Sequence, residues 1–189
     1  MRFTDLTAQQ KQYLLQLARQ SIEHGAKTGK PLPLDCTPLD PPLTEPGSSF
    51  VTLHKAGKLR GCIGTLTPSL PLVNDVIEHA FSAAFDDHRF QSVNLEEVLS
   101  LHIEISILTP QVQMFFDSEA GLLEQLQPFK DGVTLEEGIK RATFLPAVWE
   151  KLPDKHLFLE ELKYKAGLPK DYWSTTIKVF RYYTICISE

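Results

Sequence analysis

The spacing of apolar residues changes from helical to alternating along the chain, and each change marks an element. Residues 7–28 carry one apolar stripe at helical spacing, which predicts an amphipathic helix. Thr7 followed by Gln10 is typical of a capping box at its start, and Gly29 and Pro31 end it. The residues of the stripe are Leu14, Leu17, Ala18, Ser21, Ile22 and Gly25.

Strands are predicted where apolar residues run together or alternate with polar ones. Residues 50–55 and 59–66 form a hairpin around the turn Ala56-Gly57, because both segments are rich in strand formers. Residues 101–108 alternate strictly, which indicates a strand buried on one face. A second hairpin (133–136 and 140–145, around Glu137-Gly138) and a final strand (177–187) complete the strands.

The remaining segments predict helices and one long irregular stretch. A strong helix is expected over 72–85, with Pro71 at its first position. Shorter helices are predicted at 95–99 after Asn94, at 118–126 after Asp117, from Pro146, and at 154–166 before Gly167 and Pro169. The proline-rich residues 31–47 are expected to wrap the surface or line a cleft.

Hairpins mixed with separate helices indicate an α+β fold, with a mainly antiparallel sheet flanked by helices. The 189 residues suit one domain, with room for a small additional lobe. We therefore expect a single domain over residues 1–189.

Charge narrows the function classes. The net charge of -5 argues against a nucleic-acid binder, since such proteins replace condensed counterions with Lys and Arg. One basic stretch remains, and it reads either as a local patch or as a solvated face. Its residues are Lys163, Lys165, Lys170, Lys178 and Arg181.

Three cysteines, Cys36, Cys62 and Cys186, form neither a CxxC motif nor an even framework. We interpret them as reduced thiols. The N-terminus leads into a polar helix, and no run approaches the length of a membrane span, so we expect a cytoplasmic protein with no membrane segment.

The hexapeptide 59–64 (Leu-Arg-Gly-Cys-Ile-Gly) combines a guanidinium, a thiol and two glycines within one predicted strand. Strand alternation places Arg60 and Cys62 on one face, where the cation favours the thiolate. Gly61 and Gly64 would leave backbone N–H groups open to a ligand, and Thr65 adds a hydroxyl. The alternative is that Cys62 is a small buried apolar residue.

The helix after the hairpin brings further polar groups. His79 follows Asp75 by four residues and precedes Asp86 by seven, so it fits a general base or metal ligand, or else a half-exposed histidine. The segment 86–90, which includes His88 and Arg89, could bind a polar ligand or cap the helix end.

His102 and Glu104 share one face of their predicted strand. Two ligands are too few for a metal site, so we predict none there and interpret the pair as part of one polar face of a sheet. The chain contains no HExxH, phosphate-binding loop, GxSxG or dinucleotide fingerprint. The sequence therefore leaves the identity of any cofactor unknown.

Several segments, in order along nearly the whole chain, resemble the AMMECR family (AmmeMemoRadiSam system protein A). They are residues 50–53 (Phe-Val-Thr-Leu), 58–65 around the hexapeptide, 83–86 (Ala-Ala-Phe-Asp) with Arg89 and Phe90, 103–110, 141–146 with Val148 and Trp149, and 165–169 with Tyr172 and Trp173.

The resemblance implies an α+β domain with a larger lobe that holds both termini and a smaller lobe. It implies no established activity, although the hexapeptide is the family's suspected functional motif. It also implies an association with a Memo-like protein and a radical-SAM protein. Neither His79 nor His88 takes a role from the family.

Together these observations predict a small-ligand-binding cleft around the hexapeptide, with catalysis left open. Cys62 and Arg60 are the candidate catalytic residues. The candidate ligand-binding residues are Gly61, Gly64, Thr65, His79, Asp86, Arg89 and Glu104. The competing hypothesis is a non-catalytic adaptor or regulatory module for a Memo-like or radical-SAM partner.

Overall fold

The computed structural model describes residues 6–34 and 39–189. The expectations for the first five residues and for Cys36 lie outside these ranges. The chain divides into two compact units, which we call the first unit (Met1–Thr109 with Ile185–Glu189) and the second unit (Pro110–Thr184). The larger unit thus contains the first and the last described segments of the chain, in agreement with the expected larger lobe. No helix in the described ranges is long and apolar enough to cross a membrane.

The first unit combines two helices with a four-stranded sheet and a short two-stranded one. Its elements are α1 (Ala8–Thr28), β1 (Pro46–Gly47), β2 (Ser49–Lys55), β3 (Lys58–Gly64), β4 (Leu70–Pro71), α2 (Leu72–Phe85), a 3₁₀ turn (Val98–Ser100), β5 (Leu101–Leu108) and β10 (Thr184–Ser188). The larger sheet has the order β10-β5-β2-β3, and β1 pairs with β4.

Helix α1 forms for the reasons visible in its sequence. Thr7 and Gln10 make the reciprocal capping box, which satisfies two N–H groups at the helix start. Gly29 ends the helix in the left-handed conformation (φ 71°) and donates its N–H to the Gly25 carbonyl. The predicted stripe is the buried face of the helix.

The sheet of the first unit buries one face. Its core positions on β2 and β5, such as Val51, Leu53 and Ile103, are fully buried. The residues between them, Thr52 and Glu104, are only half-buried, so the alternation gives the sheet a core face and a polar face. The core face packs with α1 and α2 in one apolar cluster.

The second unit has its own four-stranded sheet, with order β6-β9-β7-β8. Its elements are β6 (Val112–Met114), α3 (Glu119–Gln125), β7 (Gly132–Glu137), β8 (Lys140–Phe144), a 3₁₀ helix (Pro146–Glu150), α4 (Lys155–Lys165) and β9 (Lys178–Tyr182). Trp149 is fully buried and stacks on Phe158 with ring centroids 3.6 Å apart. The Trp149 indole N–H donates to the Asp131 carbonyl at 2.8 Å.

Four sequence predictions are corrected. The expected single strand 177–187 is two strands, β9 and β10, that belong to different sheets. Ser118 caps α3 instead of Asp117, because the Ser118 hydroxyl accepts the Gly121 N–H. Pro71 precedes α2 as its N-cap, and the helix expected at 95–99 is only a 3₁₀ turn.

Candidate functional site

Cys62 lies on the edge strand β3 and is half-buried. Thr52 of β2 stands directly opposite, and its hydroxyl donates to the Cys62 sulfur at 3.3 Å. Glu104 of β5 pairs with Thr52 from the other side. A line of Cys62, Thr52 and Glu104 therefore crosses three neighbouring strands at half-buried positions.

The backbone of Cys62 is held by two side chains from the segment after α2. The Cys62 N–H donates to Asp87 Oδ2 at 2.9 Å, and the Cys62 carbonyl accepts from Arg89 Nη2 at 3.3 Å. Arg89 also binds Asp87 through Nε (2.9 Å) and Nη2 (2.7 Å). We call this pair the Asp87–Arg89 clamp. It occupies the edge groups that a further strand would otherwise use.

Electrostatics favour a charged clamp. Hydrogen bonds from Arg89 hold the pKa of Asp87 well below its usual range, against the opposing effect of burial. Asp87 in turn raises the pKa of Arg89, mainly through its side-chain hydrogen bonds. Arg89 is thus a charged guanidinium that contacts Cys62 through the backbone carbonyl.

Arg60 is committed to a different partner. Its Nε and Nη2 atoms bind the two carboxylate oxygens of Glu97 at 2.8 and 3.0 Å, and Lys55 Nζ lies 2.9 Å from Glu97 Oε1. Hydrogen bonds from Arg60 contribute most to lowering the pKa of Glu97 to about 2. Of the Arg60 side chain, 15% is exposed.

A bulge explains why Arg60 does not join Cys62 as strict alternation implies. His54 pairs with Leu59 and Leu53 pairs with Gly61, so Arg60 has no partner in β2. An extra residue of this kind breaks the side-chain alternation and redirects its side chain. The predicted contact between Arg60 and the thiol is absent from the described interactions, and Arg89 lies beside Cys62 instead.

The two glycines of the hexapeptide face protein atoms. A Cβ on Gly61 would lie 2.0 Å from the carbonyl oxygen of Ala83, so α2 is what approaches this backbone closely. A Cβ on Gly64 would lie 2.4 Å from both the Phe50 ring and the Ser49 carbonyl oxygen. Both glycines therefore let the sheet and α2 pack, and their predicted role in opening the backbone to a ligand stays a prediction.

His79 and Asp86 belong to other surroundings. His79 Nδ1 lies 3.1 Å from Asp75 Oδ2, and the buried Asp75 also accepts the Ser49 hydroxyl at 2.6 Å. Asp86 is exposed and ends α2. None of the described contacts joins either residue to Cys62, so the structure does not bring them into the cluster.

Thr65 lies just beyond β3, where its N–H donates to the Ser49 carbonyl and its hydroxyl accepts from Thr67. His102 and Glu104 lie on β5, and no group of three or more metal-ligating side chains occurs among residues 6–34 and 39–189. A ligand-binding role for Thr65 and Glu104 stays a prediction.

Sequence reasoning missed Asp87, Glu97 and Thr52. The charged segment 86–90 was a signal that could have identified Asp87. Only the tertiary structure, however, shows which of the two adjacent aspartates is buried. Asp87 is 6% exposed, whereas Asp86 is exposed. Thr52 could be placed opposite Cys62 only with knowledge of the bulge.

Comparison with known proteins agrees with this fold and these segments. The AMMECR1 family model matches residues 15–187. Protein PH0010 of Pyrococcus horikoshii is 38% identical over 183 residues, which cover 90% of this chain and 85% of the relative. A protein of Methanothermobacter thermautotrophicus is 36% identical over 186 residues, covering 96% and 95% of the two chains. The chain belongs to the AMMECR1 family.

The fold also matches a solved structure. The crystal structure of the uncharacterized protein PH0010 from Pyrococcus horikoshii superposes with a TM-score of 0.87 at 36% sequence identity. The match covers 97% of this chain and 93% of that one. The α+β architecture with antiparallel sheets is therefore that of the family.

Proposed function

We propose that the surface around Cys62 in the first unit binds a small ligand, and that Cys62 is the reactive group where binding leads to catalysis. The observation that carries the proposal is the Asp87–Arg89 clamp, which fixes both backbone groups of a half-buried cysteine. A cysteine that serves only to fill the core needs no such arrangement.

The neighbours of the sulfur support this role. The Thr52 hydroxyl donates to the sulfur, and a donated hydrogen bond stabilises a thiolate relative to a thiol. The clamp keeps the backbone of Cys62 from shifting, so the thiol holds one position. Arg60 acts at a distance in this scheme, since with Glu97 it orders the bulge that precedes Cys62.

A metabolite screen by thermal shift tests the proposal. A ligand of this surface raises the melting temperature of the wild type, because binding to the folded state adds to its stability. The same compound should give no shift with Cys62→Ala and an unchanged shift with Cys186→Ala, the matched control at an exposed thiol. A hit that stabilises Cys62→Ala as well as the wild type contradicts the proposal.

Alkylation supplies a second test that needs no ligand. Iodoacetamide should label Cys62 faster than the exposed Cys186 at neutral pH, as followed by mass spectrometry of the two peptides. Equal or slower labelling of Cys62 would remove the reactive-thiol form of the proposal and leave binding alone.

The second unit favours an alternative role as an adaptor. It contains an open cleft of about 740 Å³, whose lining includes Phe115, Phe116 and Trp173. Phe115 is 79% exposed, and an apolar surface bordered by polar residues is typical of an interaction site. The family resemblance supplies the candidate partner, a Memo-like or radical-SAM protein.

Co-expression with each candidate partner separates the two roles. An adaptor should co-purify with its partner, retain it in Cys62→Ser and lose it in Phe115→Ser. Loss of the partner in Cys62→Ser with retention in Phe115→Ser would instead assign the interaction to the Cys62 surface.

A further inference from the structure

The two arginines near Cys62 differ in how accessible their unused hydrogen-bond donors are. Arg60 and Lys55 both bind Glu97, and the Arg60 side chain is only 15% exposed. An incoming ligand therefore finds little of Arg60 to bind. Arg60 Nη1 has no hydrogen-bond partner in the described ranges, but it is buried and therefore out of reach of a ligand.

Arg89 is different because its unused donors belong to an exposed side chain. Its side chain is 58% exposed, whereas that of its partner Asp87 is 5% exposed. Nε and Nη2 serve Asp87 and the Cys62 carbonyl, while Nη1 has no hydrogen-bond partner among the described residues. A guanidinium with free donors on its open side is suited to a carboxylate or phosphate.

The opposite side of Cys62 carries the opposite charge. Glu104 stands beyond Thr52 on the same line of strand positions and forms no ion pair within the described ranges. Its carboxylate repels an anionic group from the middle of the sheet. The charged end of a ligand is thereby directed to the β3 edge, where Arg89 lies.

From this arrangement we propose that the Cys62 surface selects small anionic ligands, carboxylates or phosphates, and that Arg89 is the residue that binds their charge. This inference rests on the proposed function and names its ligand class. Asp87 fixes the guanidinium in place through two hydrogen bonds. The exposed Nη1 edge then presents its donors beside the thiol.

Alkylation with a charged and a neutral reagent tests this selection. In each reaction the Cys62 thiolate attacks the methylene carbon, a C–S bond forms, the C–I bond breaks and iodide leaves with its electron pair. The thiol proton goes to solvent. We expect the ratio of iodoacetate to iodoacetamide rates to be about five-fold higher at Cys62 than at Cys186, since one nearby cation attracts only the charged reagent.

Variants assign the effect to Arg89. The ratio at Cys62 should fall to that of Cys186 in Arg89→Gln, and also in Arg89→Gln with Asp87→Asn, which keeps the pair neutral and avoids a buried unpaired carboxylate. Arg141→Gln is the matched control, because Arg141 is also a half-exposed arginine paired with a carboxylate, Glu136. It should leave the ratio unchanged.

Inorganic phosphate provides a measurement that does not depend on thiol reactivity. Titration of the wild-type protein should give a saturable NMR shift of the Arg89 Nε–H and Cys62 amide signals, and the double variant should give none at Cys62. Equal alkylation ratios at Cys62 and Cys186, together with no saturable shift, overturn the inference. Fast iodoacetamide labelling of Cys62 in that same experiment would leave the proposed function standing.

Discussion

Each unit buries an aspartate beside an arginine, yet the two carboxyl groups respond in opposite ways. Arg89 lowers the pKa of Asp87 in the first unit. Burial raises the pKa of Asp131 in the second unit, although Arg181 lies 3.0 Å away. Proximity to a guanidinium is therefore not what decides the ionisation of these groups.

The difference lies in the balance between burial and hydrogen bonds: burial is the largest influence on the pKa of Asp131, whereas the hydrogen bonds of Asp87 outweigh its burial. Asp87 accepts the N–H groups of Cys62 and Arg89 and two guanidinium contacts. Asp131 accepts one backbone N–H, from Gln127, while Arg181 Nε is not aligned for a hydrogen bond and Asp131 Oδ1 has no partner in the described ranges. A charge is kept where donors replace water and is disfavoured where they do not.

This contrast separates the roles of the two sites. In the first unit a stable charged pair orders a sheet edge beside a half-buried thiol. In the second unit the Asp131 carbonyl holds the Trp149 indole within an apolar cluster. Substitutions in the second unit should therefore lower the free energy of unfolding. Substitutions at the clamp should lower it too and should also change the reactivity of the Cys62 thiol.

The largest expected effect is at the aromatic stack. Trp149→Ala should lower the free energy of unfolding by about 3–5 kcal/mol, because it leaves a large cavity against Phe158. Urea denaturation measures the loss, and hydrogen exchange locates it. If the two units unfold separately, amide protection should fall in β7 and α4 and persist in β3. Equal loss in both units would support one cooperative domain.

Next comes Gly61→Ala, which forces a Cβ against the Ala83 carbonyl. Because the added Cβ overpacks against the backbone of α2, the free energy of unfolding should fall by about 1–3 kcal/mol or more. Gly121→Ala is the control, since its Cβ would meet only the Ser118 hydroxyl oxygen at 3.5 Å within a helix. A stable, fully folded Gly61→Ala variant would show that α2 does not press on this strand.

The two aspartates can be compared directly at neutral pH. Asp87→Asn should lower the free energy of unfolding by about 2 kcal/mol, because it removes the negative charge that accepts several hydrogen bonds. Asp131→Asn should cost clearly less, since the environment of Asp131 already disfavours its ionised form. Chemical denaturation of both variants gives the two values, and a larger cost at Asp131 would reverse the comparison.

Acidification should change the stability of the wild type relative to Asp87→Asn and relative to Asp131→Asn in opposite directions. The pKa of Asp87 lies below its ordinary 3.8, so its ion pair stabilises the fold above about pH 4 and this stabilisation is lost at lower pH. The pKa of Asp131 is raised, so its ionised form destabilises the fold at neutral pH and protonation removes that cost. On acidification the wild type should lose stability relative to Asp87→Asn and gain relative to Asp131→Asn. Denaturation curves from pH 7 to about pH 3.5 measure both trends.

The smallest effect is expected at Thr52. Thr52→Val keeps the shape and removes the donor to sulfur, so iodoacetamide labelling of Cys62 at neutral pH should slow about two- to three-fold. Thr134→Val in the second unit is a matched control, because that hydroxyl donates to Thr143 far along the chain from Cys62. Unchanged labelling would mean that the contact does not stabilise the thiolate.

Local sequence signals were sufficient for most elements. The capping box at Thr7, the bounds of α2 and the turn at Ala56-Gly57 follow from chemistry within a few residues, and all three are present. The split of residues 177–187 between two sheets was not predictable, because both strands read as one continuous apolar pattern. Their separation depends on which neighbours pair with them.

At the candidate site, the hexapeptide shows the same separation between what local sequence predicts and what tertiary pairing decides. The sequence by itself determined that a cysteine with flanking glycines would lie in a strand of the first hairpin. The tertiary structure alone decided that Arg89 and Asp87, not Arg60, would meet that cysteine. The physical reason is the bulge at Arg60: one extra residue shifts the register of β3, and the distant pairings that this shift selects cannot be read from local spacing.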